Sequence, residues 1–326
     1  MKYVNSPLLG AGLLLILGFV KPALAGDQAD AATAWIRQMS EAMEQLTYQG
    51  TFIYIHGAEI ETMSIAHDGK GERERLTSLN GEARVIIRDM DNVTCIWPGS
   101  KSVIVSKSLP RAPFPMFDTQ ASPGFADYYH FMMAGEDRVA GIQSKVVAMM
   151  PVDQYRYGYK LWVDKASKLL LRSMMLDSDE RVIEQVMFTS LEFPESIRDG
   201  LFSTRPSGEG YEWKTMESAA PDDVDRGHIE FTRLPAGFNK VSEAMRPMRM
   251  NENPVRHAVV SDGVASVSVY VEYTGGEVDK NKMEGVSSMG AVHAYSRALD
   301  KAFVTVVGEV PVATVELIGE AVVLKH

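Results

Sequence analysis

Seven histidines and one cysteine are the residues of this 326-residue chain best suited to hold a metal or attack a carbonyl, and their spacing serves neither. His56, His67, His130, His228, His257, His293 and His326 never fall at metal-ligand intervals from one another or from Cys95. No Gly-x-Ser-x-Gly elbow, glycine-rich phosphate loop or His-Glu-x-x-His pair occurs. Asp68-Gly69-Lys70-Gly71-Glu72 has the outline of a calcium loop, but a lysine stands where a ligand should be and the spaced carboxylates are missing. It reads as a hairpin turn. The residues point away from an enzyme and imply no cofactor and no metal, leaving open only a site assembled from distant segments.

What remains is chemistry of grip. Ser108–Phe117 carries three prolines among Leu109, Phe114, Met116 and Phe117. Proline fixes φ and removes a donor, so this segment cannot be a central strand. It is either a stiff flap over an apolar interior or a connector whose side chains complete the core. A second segment runs from Arg246 through Met248 and Arg249 to Arg256 and His257, placing basic charge and methionine on a loop of an acidic protein. That mixture suits an acidic amphipathic peptide or a lipid phosphate, against the plainer reading of a solvated loop. The chain holds 19 methionines against 4 tryptophans, and methionine adapts to irregular apolar partners as readily as it fills cores.

These residues need elements to hold them. Ala31–Leu46 reads as an amphipathic helix with Trp35, Met39, Met43 and Leu46 on one face. From Tyr48 the pattern turns to period two, with strands at Tyr48–His56, Thr62–His67, Ala83–Ile87, Val93–Trp97 and Ser102–Ser106 separated by turn residues. Phe125–Met133 is expected as a short helix presenting Tyr128, Tyr129, Phe131, Met132 and Met133. Strands resume at Ser144–Met150, Tyr155–Val163, Lys168–Leu176 and Arg181–Phe193. So many antiparallel strands with one early helix must curl to bury an inner face. A composition shift over Arg205–Asp225 marks a linker, with Trp213 pinning it to a domain surface. Beyond it, strands at His228–Phe231, Lys240–Met245, Arg256–Val260, Val264–Tyr273, Ala291–Tyr295 and Phe303–Val307, with a closing helix opened by Pro311, form a smaller α+β domain.

The totals bound the setting. Lys2, the apolar run Leu8–Val20 and Ala23-Leu24-Ala25 form a secretory leader, cleaved near Ala25-Gly26, whose apolar run is too short to span a bilayer. The expected division is residues 1–25 leader, 26–204 large domain, 205–225 linker and 226–326 small domain. The formal charge of −10 becomes two units more negative once Lys2 and Lys21 are removed, which excludes nucleic acid as a partner bound through its phosphates. Cys95 alone can form no internal disulfide and reads as a small buried hydrophobe. The sequence leaves a homo-oligomer open.

Read over its whole mature length, the chain resembles the RseB/MucB family of periplasmic regulators. The resemblance is carried by Asp127-Tyr128-Tyr129-His130-Phe131, Arg138-Val139-Ala140-Gly141, Tyr159–Asp164 with Ser167-Lys168-Leu169, Leu234-Pro235-Ala236-Gly237-Phe238, Arg246-Pro247, Ser261-Asp262-Gly263 and Val307–Pro311. It implies an α+β fold in which an open antiparallel β half-barrel with helices, like the lipoprotein carriers LolA and LolB, precedes a C-terminal α+β domain. It also implies a periplasmic protein that binds the periplasmic part of a MucA/RseA-like anti-sigma factor and shields it from proteolysis. Mislocalised lipid A or acyl chains would release that grip, which in the MucB branch governs alginate production. Trp35, Met39, Met43, Phe114, Met116, Phe117 and Met132 would then meet lipid, and Arg246, Met248, Arg249, Arg256 and His257 the protein partner. Some relatives carry a cysteine where this chain has Ser144 and Lys145, so no redox role carries over. The alternative is a periplasmic carrier of lipoprotein or lipid.

Overall fold

The computed structural model describes residues 24–70, 72–90, 92–106, 114, 115, 117, 125–205, 210–216, 227–246, 255–273 and 283–325. Helix α1 (Leu24–Gln45) leads into a meander of six strands: β1 (Tyr48–His56), β2 (Glu59–Asp68), β3 (Arg73–Ser78), β4 (Val85–Asp89), β5 (Asn92–Trp97) and β6 (Ser102–Ser106). A second meander comprises β7 (Tyr129–Val139), β8 (Ile142–Pro151), β9 (Gly158–Asp164), β10 (Leu170–Leu176) and β11 (Val182–Glu192). The two are joined where β1 pairs antiparallel with β11, and β12 (Glu212–Met216) adds in parallel to β6. The result is one twelve-stranded sheet in the order β12-β6-β5-β4-β3-β2-β1-β11-β10-β9-β8-β7. Its terminal strands do not pair with each other, so the half-barrel stays open.

Ala32, Ile36, Met39 and Met43 recur every three or four residues along α1 and are buried in the half-barrel. They meet Tyr48 and Phe52 of β1, Met63 and Ile65 of β2, and Phe188 of β11 in one apolar cluster. Cys95 is half-buried in the cross-strand row Ile86–Cys95–Ile104, and burial raises its thiol pKa against the opposing charge of Arg84. The small buried hydrophobe expected there is only partly covered.

The smaller domain opens with β13 (His228–Phe231), followed by β14 (Asn239–Arg246), β15 (Val255–Ser261), β16 (Ser266–Tyr273), β17 (Gly285–Met289), β18 (Val292–Leu299) and β19 (Ala302–Gly308). The last six form one sheet in the order β14-β15-β16-β19-β18-β17. β13 pairs instead with β20 (Val322–Lys325), which follows α2 (Val312–Ala321). Val315 and Ile318 of α2 pack on Val260, Val267, Val269, Val304 and Val306, one face of the sheet. Arg297 donates to the carbonyls of Gly319, Glu320 and Val322, so a cation sits where the helix leaves its carbonyls unpaired.

Several expectations need correction. Phe125–Met133 is not a helix: one 3-10 turn (Phe125–Tyr128) gives way to β7. Tyr129 and Phe131 are buried while His130 and Met132 are exposed, a period of two. Within the expected linker, Glu212–Met216 is a strand, and Trp213 lies level with Val103 yet remains half exposed. Strands β3, β17 and β20 were not expected from the sequence. Val322, assigned to the last helix, opens β20.

The domains touch through a polar centre with apolar flanks. Arg156, between β8 and β9, donates through Nε to Asp262 Oδ2 at 2.6 Å across the junction. Thr314 Oγ1 donates to the carbonyl of Tyr155 at 2.8 Å, and Val264 and Ala291 join the large domain's core.

Candidate binding surfaces

Phe114 and Phe117, from the proline-rich segment, lie in the half-barrel's interior. Phe114 stacks on Phe188 with ring centroids 5.1 Å apart and meets Phe52 edge-on at 4.9 Å. Phe117 sits edge-on to Tyr159 at 5.5 Å. Both are buried in the same cluster as Met39 and Met43, with Trp35 packed at its margin beneath the Lys168 ammonium, 3.8 Å from the ring centroid. A flap over the interior and a core connector would both place these two side chains inside the half-barrel. Met116 lies outside the described residues. Met132 lies on the opposite face of β7 from Tyr129 and Phe131 and does not join them.

The basic cluster does not form one patch. Arg246 ends β14, and Arg256 and His257 are neighbours within β15, so those two side chains leave opposite faces of the sheet. They are strand residues, not loop residues, because β15 pairs with strands on both sides over Arg256–Ser261. Arg256 is buried against Glu243 at 3.2 Å. Glu243 is held below the usual carboxylate range despite its burial, by hydrogen bonds from Lys240, the Ile229 amide and Arg256. On the other face His257 stacks on Tyr270 at 4.5 Å, and its Nδ1 accepts from Arg246 Nε at 3.1 Å. A guanidinium only donates, so this imidazole is neutral; burial, with Arg246's charge, brings its pKa down to about 4. Met248 and Arg249 lie outside the described residues.

A surface that sequence reasoning missed lies between the domains. It is a cleft of about 570 Å³ whose wall on the half-barrel side includes Tyr54, His56, Glu61, Met63 and Glu184, and on the other side Met289, Val292 and Glu309. Tyr54 donates to Glu184 at 2.8 Å; burial and that carboxylate push its hydroxyl pKa far up. His56 Nε2 stands 3.6 Å from both Glu59 and Glu61, and Arg84 pairs with Glu61 at 3.1 Å. The cleft is thus apolar at its base with a carboxylate-rich rim. Its residues come from stretches far apart in the chain, roughly 54–63, 76–86, 184 and 289–309, so no local motif announces it. Among the described residues no group of histidines, cysteines and carboxylates could hold a metal ion, and no helix is long and apolar enough to cross a membrane.

Residues 31–205 match the MucB/RseB N-terminal domain and residues 225–323 the MucB/RseB C-terminal domain. The chain belongs to the MucB/RseB family. It is 30% identical over 314 residues to the sigma factor AlgU regulatory protein MucB of Pseudomonas aeruginosa, covering 94% of this chain and 95% of that protein. It is 26% identical to the sigma-E factor regulatory protein RseB of Escherichia coli K12, again over 94% and 95% of the two chains. The complex of Pseudomonas aeruginosa MucA and MucB superposes with a TM-score of 0.69 at 28% identity, covering 91% of this chain and 99% of that one. A second structure, MucB with the periplasmic part of MucA, gives 0.67 at 27% identity, covering 90% and 99%. The MucB/RseB relatives are regulatory proteins, and the open half-barrel with its smaller partner domain is the fold they share with this chain.

Proposed function

We propose that this protein is a periplasmic negative regulator that binds the periplasmic part of a membrane-spanning anti-sigma factor and shields it from regulated proteolysis. The observation that carries this reading is the cleft to which both domains contribute, in a chain whose fold matches MucB in complex with MucA. An apolar floor takes the buried face of a peptide, and a polar rim sets its register. No covalent step is required of any residue. The test is to digest the anti-sigma factor's periplasmic domain with its site-1 protease, with and without purified mature protein. Slower cleavage is expected; equal rates reject the reading.

Release would follow contact with lipid A or acyl chains. Phe114 and Phe117 support this, because they fill the half-barrel from a proline-rich segment and lie in neither helix nor strand. An acyl chain taking their place gains about 0.8 kcal/mol per buried methylene. Lipid A added to the protected complex is expected to restore cleavage. The same interior supports the second reading, a lipoprotein or lipid carrier, in which acyl ligand binds but protection never develops.

A further inference from the structure

Three of the segments that carry the family resemblance meet at the junction between the domains. Tyr128 and Tyr129, from the first, and Phe238, from the Leu-Pro-Ala-Gly-Phe run, surround the Arg156 guanidinium at 4.7, 5.9 and 5.0 Å from their ring centroids. Gly237 has φ of +83°, and a Cβ there would come within 2.3 Å of the Tyr128 ring, so that close approach requires glycine. Asp262, from the Ser-Asp-Gly turn, accepts Arg156 Nε on Oδ2 and the amides of Val264 and Ala265 on Oδ1, at 2.9 and 2.7 Å. Arg156 also donates to the Asp153 carboxylate and to the carbonyl of Ala236.

The side chains of Arg156 and Asp262 have no exposure at all. Burial works against the arginine's charge, but the Asp262 hydrogen bond and charge, with Asp153 behind, more than offset it. A dry ion pair adds little net stability compared with apolar packing, yet it is directional: sliding the domains would leave buried donors and a carboxylate unmatched. The apolar flank at Val264 and Ala291 imposes no such direction.

We propose that Arg156 is the positioning residue for partner capture, clamping Asp262 and Ala236 of the small domain to the half-barrel and so holding the cleft at the width its guest requires. This rests on the cleft being the anti-sigma factor site. Arg156 itself touches no guest.

The test uses the full mature chain carrying Cys95→Ser. Spin labels at Glu59→Cys and Met289→Cys, both more than three-quarters exposed on opposite lips, report the distance across the cleft. Arg156→Met with Asp262→Asn removes the fully buried ion pair, leaving only the partly solvent-exposed Asp153 carboxylate without its cation, and the amide oxygen placed at position 262 can still accept the two turn N–H groups. A narrow distance distribution is expected to broaden, and affinity for the anti-sigma periplasmic domain, measured on unlabelled protein, to fall at least tenfold. Amide protection within β1–β11 and β15–β19 should be unchanged. A disulfide from Tyr155→Cys and Thr314→Cys, added to the double variant, should restore most of the affinity by fixing orientation without the arginine. An unaltered distance distribution, unaltered affinity, or a clamped variant that stays weak would overturn the proposal. If the parent chain binds no anti-sigma domain, the capture role falls with the cleft reading, while the label distances still decide whether Arg156 holds the domains together.

Discussion

Phe114 and Phe117 show how a side chain can be legible as apolar yet illegible in role. Nothing in Ser108–Phe117 tells a flap from a plug; the rings of Phe52, Phe188 and Tyr159 show only that Phe114 and Phe117 are packed inside. Phe114→Ala is therefore expected to cost about 3–5 kcal/mol of stability, as large-to-small core changes do. Chemical denaturation measures this, and a change below about 1 kcal/mol would mean the ring is dispensable to the core. His257 offers a second check. Its folded pKa of about 4 lies below the ordinary 6.5, so the unfolded chain binds the extra proton between those values. Stability from this group is present in full above pH 6.5 and is lost as pH falls toward 4, by up to about 3 kcal/mol. His257→Gln should flatten that part of the pH–stability curve. Met39 and Met43 were readable from helical spacing. Arg246, Arg256 and His257 were not a patch, because nearness in sequence says nothing of which face of a strand each side chain leaves.

Among the elements, those with alternation and clear turns were readable. β1 and β6 have the bounds their period-two patterns indicate, and Asn80-Gly81 lies at the turn between β3 and β4. The failures share a cause. β17 is exposed along its whole length and β3 is rich in charge, so neither shows contrast between faces. β7 was misread because Tyr129–Met133 is dense in apolar residues, which masks the alternation beneath. β12 is held weakly: residues 212–215 are exposed, it pairs with a single strand, and its preceding Tyr211 supplies packing against the Ile87–Ile96–Val103 cluster. Its amides are expected to exchange at least 100-fold faster than those of β1 opposite β11, through local opening that leaves the sheet intact. Equal protection of both would show that β12 unfolds only with the whole sheet.

For the whole molecule, the resemblance read from scattered short segments foretold an open half-barrel with a smaller partner domain. It could not locate the cleft, which exists only once residues from 54 to 309 are brought together. Met289 stands on the cleft's lip with 78% exposure. Met289→Asp should weaken anti-sigma binding by about tenfold, roughly the 1.4 kcal/mol expected when a carboxylate replaces an apolar side chain beside other carboxylates. Its melting temperature should stay within a degree of the parent. A matching loss of stability would show that Met289 supports the fold rather than a guest.

The union of β1 with β11 also governs how the molecule comes into being. Gln49 and Glu192, side by side in the sheet, are 143 positions apart in the chain. During synthesis from N- to C-terminus, the first meander emerges long before its neighbour, with an edge of unsatisfied amides and carbonyls waiting. Assembly must therefore be late and slow, as non-local strand pairing generally is. Newly made chains will be most prone to aggregate in that interval, and escort by a holding chaperone would matter more for them than for the finished protein.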